Sequence, residues 1–101
     1  MTTKEVDAAK FLEKHYGPVT FAKFMLAART MMDLTQVQMG KKLKMSRSAI
    51  CDIEKGRQLV SPKLALKIAK LAGLSEEQAV TLCLQDQLNK TGLKMRVQLV
   101  A

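Results

Sequence analysis

Apolar residues recur at helical spacing through most of this chain and alternate with polar ones only near its end. Val6, Ala9, Phe11 and Leu12, with charges between them, predict an amphipathic helix over Lys4 to Tyr16, closed by Gly17-Pro18. Thr20 is placed to cap a second helix to about Met32, with Phe21, Phe24, Met25, Ala28 and Met32 on one face. After Asp33-Leu34, Thr35 caps a third helix, Gln36 to Leu43, and Lys44-Met45 form a turn. Ser46 caps a fourth helix to about Lys55, which Gly56 stops, and a loop from Arg57 to Val60 follows. Ser61-Pro62 open a fifth helix with a stripe of Leu64, Ile68, Leu71 and Ala72, ended by Gly73. Ser75 with Gln78 three residues on reads as a capping box for a sixth helix to about Asn89.

The tail has a different period. Leu93, Met95, Val97 and Leu99 alternate with Lys94, Arg96 and Gln98, which predicts a half-buried β-strand. A lone strand leaves its main-chain groups unpaired, so it needs a partner. The same strand from a second copy, paired across a two-fold axis, supplies one. Leu84 and Leu88 of the last helix are placed to add to such an interface. The competing expectation is a tail packed loosely on that helix.

Two short capped helices joined by a three- or four-residue turn suggest a helix-turn-helix over residues 35–55. Met39 and Leu43 face inward from its first helix, and Ile50 and Ile53 from its second. Gly40 falls where the two would cross closely. Thr35-Gln36, Gly40, Leu43, Met45-Ser46-Arg47-Ser48, Ile50 and Ile53-Glu54-Lys55-Gly56-Arg57 together resemble the Xre family, the Cro and phage-repressor type of helix-turn-helix protein. The resemblance covers about Phe24 to Leu74. Lys44 departs from it at a turn position that is often glycine, where a left-handed backbone costs about 1–2 kcal/mol.

The resemblance implies an all-α, lambda-repressor-like bundle of five to six short helices, here with a C-terminal β-strand able to pair across a dimer. It implies that the second helix of the motif enters the DNA major groove N-terminus first. Arg47 and Ser48 then become base readers, with Asp52 one turn on. The Arg47 fork suits O6 and N7 of guanine, and Asp52 either accepts from cytosine N4 or orients Arg47. Gln36, Ser46, Lys44, Lys55 and Arg57 are the expected phosphate contacts. By the same resemblance Glu54 pairs with Arg29 in a partly buried ion pair, which compensates an acid at a helix C-terminus. The expected organisation is an extra N-terminal helix (1–18), a DNA-binding domain (19–90) and a dimerisation tail (91–101).

Charge supports an anionic partner. The net charge is +8 over 101 residues. Between Thr35 and Lys70 nine Lys/Arg stand against Asp52 and Glu54, which concentrates +7 in the middle of the chain. No apolar run approaches the roughly 18 residues of a membrane span, and the first residues show no leader pattern. The expectation is a cytoplasmic, bacterial or phage-encoded protein without a membrane. His15 is the single histidine, and Cys51 and Cys83 stand apart, so neither metal nor cofactor is expected. No nucleophile–base pair or Gly-rich phosphate loop suggests an enzyme. The methionines, including Met25, Met31, Met32 and Met39, read as core filler.

Two functions fit this reading. The first is a sequence-specific, homodimeric transcriptional repressor that binds double-stranded DNA at a two-fold operator and regulates its own gene. The second is an antitoxin that binds DNA through the same motif and neutralises a toxin protein.

Overall fold

The computed structural model describes residues 19–100. The extra N-terminal helix expected over residues 1–18, and Ala101 at the end of the tail, lie outside the described residues. Five helices follow in order: α1 (Phe21–Met31), α2 (Gln36–Leu43), α3 (Arg47–Glu54), α4 (Pro62–Ala72) and α5 (Glu76–Lys90). Each begins at a hydroxyl residue in extended backbone: Thr20, Thr35, Ser46, Ser61 and Ser75. In each case the side-chain oxygen accepts from a main-chain N–H three residues on, which satisfies a donor the helix itself cannot and stabilises by about 1 kcal/mol. The full capping box is at Thr35, whose own N–H is taken by the Gln38 side chain at 2.9 Å. At Ser75 only the serine half forms.

The short helices are held by what they bury. Met25, Ala28, Met39, Ile50, Ala65, Ile68, Ala69 and Ala79 are fully enclosed, and Ile53 nearly so. Enclosing a side chain the size of isoleucine or methionine stabilises by about 1.5–3 kcal/mol, more than a cap supplies. α1 runs against α3, α4 and α5, α2 packs on α3, and α4 on α5. Phe21 and Phe24 stack at the start of α1 with ring centroids 5.4 Å apart. Two assignments to the core need correction. Met31 is 65% exposed, because it lies off the face of α1 that carries Phe21, Phe24, Met25 and Ala28. Leu71 is also exposed, and α4 instead turns Ala65 and Ala69 inward, small residues that permit close approach.

The predicted strand does not form within the chain. Among the described residues there is no strand, and residues 93–100 run without regular structure past α5. The physical reason is that the partner is a side chain rather than a strand. The Gln85 carboxamide donates to the Met95 carbonyl at 2.7 Å and accepts from the Val97 N–H at 2.8 Å. One amide thereby replaces one peptide of a neighbouring strand.

Asp86 of α5 completes the start of α1 by accepting from the Phe21 N–H at 3.0 Å. Burial pushes the Asp86 carboxyl above the usual carboxylate range, and the Phe21 N–H, which favours the charged form, pulls it partly back. A carboxyl raised on folding holds more protons in the folded state, so its contribution is full below the ordinary carboxylate pKa and is lost as pH rises through the raised value. Wild type should therefore lose urea resistance across that window relative to Asp86→Asn, which keeps an acceptor for Phe21. Parallel curves for the two proteins would rule this out.

Candidate nucleic-acid interface

α3 divides into two faces. Ile50 and Ile53 are sealed in the core, while Ser46, Arg47 and Ser48 are exposed at the N-terminal end. Ser46 Oγ accepts from the Ala49 N–H at 3.1 Å, which leaves its own hydroxyl proton free to donate outward. Arg47 forms no ion pair among the described residues. A helix N-terminus carries partial positive charge and free N–H groups, so an exposed arginine there strengthens an anion-attracting end.

The turn between α2 and α3 is fixed by the main chain. Lys44 takes a left-handed conformation, φ 57 and ψ 47, with its side chain exposed. The Met45 N–H reaches back to the Gly40 carbonyl at 2.8 Å and the Lys44 N–H to Lys41 at 3.4 Å. This is the bond pattern of a Schellman motif, built here around lysine. Gly40 is required by space: a Cβ there would run into the Met45 carbonyl oxygen, which belongs to the main chain and cannot turn aside.

At its other end α3 is anchored by charge. Arg29 Nε lies 2.8 Å from Glu54 Oε2, and Arg29 Nη2 donates to Oε1 at 3.0 Å, a two-pronged pair whose side chains are 19% and 6% exposed. The hydrogen bond to Glu54 raises the Arg29 pKa further, so the cation is permanent. Arg29 Nη1 also donates to the Leu34 carbonyl at 2.9 Å, and Gln36 Nε2 donates to Glu54 Oε1 at 3.3 Å. A carboxylate at the C-terminus of α3 opposes that helix's dipole, but the first residue of α2 and the Arg29 cation offset the cost. These contacts bring Arg29, Leu34, Gln36 and Glu54 together, so the end of α1, the start of α2 and the end of α3 meet on one carboxylate.

The remaining candidates are distributed as follows. Lys55 and Arg57 are exposed beyond α3, and Lys41 and Lys42 are exposed on α2. Asp52 does not approach Arg47 as a partner. Its carboxylate Oδ1 instead accepts from Arg57 Nε at 3.1 Å. Spacing along a helix does not reveal this pair, because it depends on the chain reversing at Gly56, φ 73. A glycine directly before a basic residue was the available signal. Leu84 and Leu88 are half-buried on α5, as is Val97 on the tail, while Leu93, Met95 and Leu99 are exposed. Burial pushes the Cys83 thiol up, and its Sγ donates to the Val60 carbonyl at 3.0 Å.

A helix-turn-helix family model matches residues 25–78, more than half of the chain. The chain belongs to the Xre-type helix-turn-helix family. This helix-turn-helix protein is also similar to an uncharacterized HTH-type transcriptional regulator from Methanocaldococcus jannaschii. The two are 49% identical over 49 residues, which cover 48% of this chain and 74% of the relative. No solved structure matches. The matched family segment spans α2, its turn and α3, together with most of α1 and all of α4. No helix among the described residues is long and apolar enough to cross a membrane, and those residues hold no cluster suited to a metal ion.

Proposed function

We propose that this helix-turn-helix protein is a homodimeric transcriptional repressor that reads double-stranded DNA at a two-fold operator, including the region upstream of its own gene. The observation that carries this reading is the first turn of α3. Arg47 and Ser48 stand exposed there, on a helix whose opposite face is locked by Ile50, Ile53 and the Arg29–Glu54 pair. A rigid mount with a free cationic fork is what base reading in the major groove requires. Arg47 and Ser48 read bases, Ser46, Lys44 and Lys55 meet phosphates, and Gln36 reaches a phosphate from the start of α2 while steadying Glu54. Residues 19–90 form the DNA-binding domain and the tail joins two copies.

The tail supports the dimer through its free edge. Gln85 occupies the carbonyl of Met95 and the N–H of Val97, which lie on one side of the chain. The N–H and C=O of Arg96 therefore point the other way, and they have no partner among the described residues. An antiparallel second copy fits best with Val97 opposite Val97, which sets Arg96 beside Gln98 and avoids placing two cations side by side.

The test is a titration of labelled duplex from upstream of the gene, and of scrambled duplex, at two salt concentrations. Wild type should prefer its own upstream DNA and bind two chains per site. Arg47→Ala should lose that preference by roughly tenfold or more per half-site, since a bidentate guanine contact discriminates by about 1–3 kcal/mol. It should keep a weak, salt-sensitive attachment. If both proteins bind weakly and alike on every sequence, the assignment of α3 as the base reader fails, and the product of the neighbouring gene becomes the next component to add.

A further inference from the structure

We propose that Asp52 is a positioning residue for Arg57, and that the pair forms a second guanine-reading fork on α3 rather than a phosphate clamp; this rests on the reading of the chain as a DNA reader. Arg57 lies three residues past the end of α3, where a flexible cation would ordinarily meet the sugar–phosphate backbone. The main chain does not leave it there. After Gly56 turns, the N–H groups of Arg57 and Gln58 both donate to the Asp52 carbonyl, at 2.8 and 3.2 Å. The Arg57 side chain then folds back over α3. Its Nε donates to Asp52 Oδ1 at 3.1 Å and its Nη2 lies 3.9 Å from Cys51 Sγ.

Cys51 and Asp52 follow Arg47 and Ser48 by four residues each, so they continue the same stripe one turn further along the helix. The Arg57 guanidinium thus extends the row of groups that Arg47 begins. Two features favour a base over a phosphate as its target. The pair carries no net charge, so it adds nothing to general attraction for the backbone, and the Asp52 carboxylate would repel a phosphate brought to the same place. In addition, Asp52 occupies Nε and Cys51 Sγ one hydrogen of Nη2, which leaves Nη1 and the second Nη2 hydrogen, the end-on edge that matches O6 and N7 of guanine. Both side chains are well exposed, 62% and 43%, so the pair contributes little to folding in water, and its use is to aim the fork.

The experiment is selection from a pool of randomised duplexes by wild type, Arg47→Ala, Arg57→Ala, Asp52→Asn and the Asp52→Asn/Arg57→Ala double variant, each first shown to melt with wild type. Wild type should enrich at least two guanine positions per half-site. One should vanish with Arg47→Ala only. The other should vanish with Arg57→Ala and with Asp52→Asn alike, with roughly tenfold loss of discrimination at that base pair, and the double variant should be no worse than Arg57→Ala. Asp52→Asn should also bind scrambled duplex more tightly and with a steeper salt dependence, because it frees a cation. Asp52→Glu should restore part of the preference. The inference is overturned if Arg57→Ala lowers affinity evenly on all sequences with a shallower salt slope, the mark of a phosphate clamp. It is equally overturned if the Asp52 and Arg57 effects on discrimination simply add. A wild type that enriches no sequence overturns the DNA-reading function itself, which separates that failure from the other two.

Discussion

Glu54→Ala is expected to destabilise the fold by about 3 kcal/mol, near the lower end of what is lost when one partner of a buried ion pair is removed. The lower end applies because the Arg29 side chain keeps 19% of its surface exposed and so recovers some hydration, whereas Glu54 keeps 6%. Without the carboxylate, the Arg29 cation retains one hydrogen bond, to the Leu34 carbonyl, and Gln36 loses its acceptor. A domain of this size loses about 4–8 °C of Tm per kcal/mol, so thermal unfolding followed by helical circular dichroism should show a fall of roughly 12–24 °C. The double variant Arg29→Met/Glu54→Leu separates stability from placement. Replacing the pair by apolar side chains removes the desolvation cost on both sides and should restore most of the lost Tm. It should not restore selective DNA binding, because the restraint that ties α3 to α1 and α2 is gone. A double variant as unstable as Glu54→Ala would mean that the pair itself stabilises the fold. One that binds DNA with wild-type selectivity would mean that the pair does not orient α3.

How much of this was legible beforehand depended on the kind of interaction. Caps are local, and the hydroxyls at Thr20, Thr35, Ser46, Ser61 and Ser75 each mark a helix start. Inward faces follow from period, so Ile50, Ile53 and Met39 are readable; the same rule puts Leu71 on the core stripe, whereas Met31 falls off its stripe and is placed in the core only as a methionine. Residue type gives no direction around a helix, so a methionine off the apolar stripe, as Met31 is, stands in solvent. At α4 the close contact is made by alanines, which a hydrophobic stripe undervalues. The tail failed for a related reason. Its alternation describes what the chain would present to a neighbouring strand, while within one copy a single glutamine side chain takes that neighbour's place. The Asp52–Arg57 pair depends on a reversal at one glycine, and a spacing rule for helices carries no information across such a turn.

Gly40→Ala sets two opposing effects against each other. In an exposed helix the change would stabilise by up to about 1 kcal/mol, because alanine is the better helix former. Here the added methyl meets the carbonyl oxygen of Met45. That atom is held by the turn, in which the Met45 N–H is itself bonded to the Gly40 carbonyl. Relief therefore requires the turn that leads into α3 to move away from α2, which loosens Met39, Leu43 and Ile50, all part of the buried core. Overpacking of this kind costs about 1–3 kcal/mol and more where main chain must move, so the collision outweighs the propensity gain. The expected net loss is about 2 kcal/mol for alanine, and Gly40→Val should leave little folded protein at 37 °C. Gly56→Ala is the control. That glycine also sits by α3, but a Cβ there meets nothing within 4 Å, and only its left-handed backbone, φ 73, resists substitution, at about 1 kcal/mol. Chemical denaturation of the three variants should rank them Gly56→Ala, Gly40→Ala, Gly40→Val in order of increasing loss. A Gly40→Ala protein more stable than wild type would show that α2 does not meet the main chain of the turn at this point. The tight turn that presents Arg47 would then need another explanation.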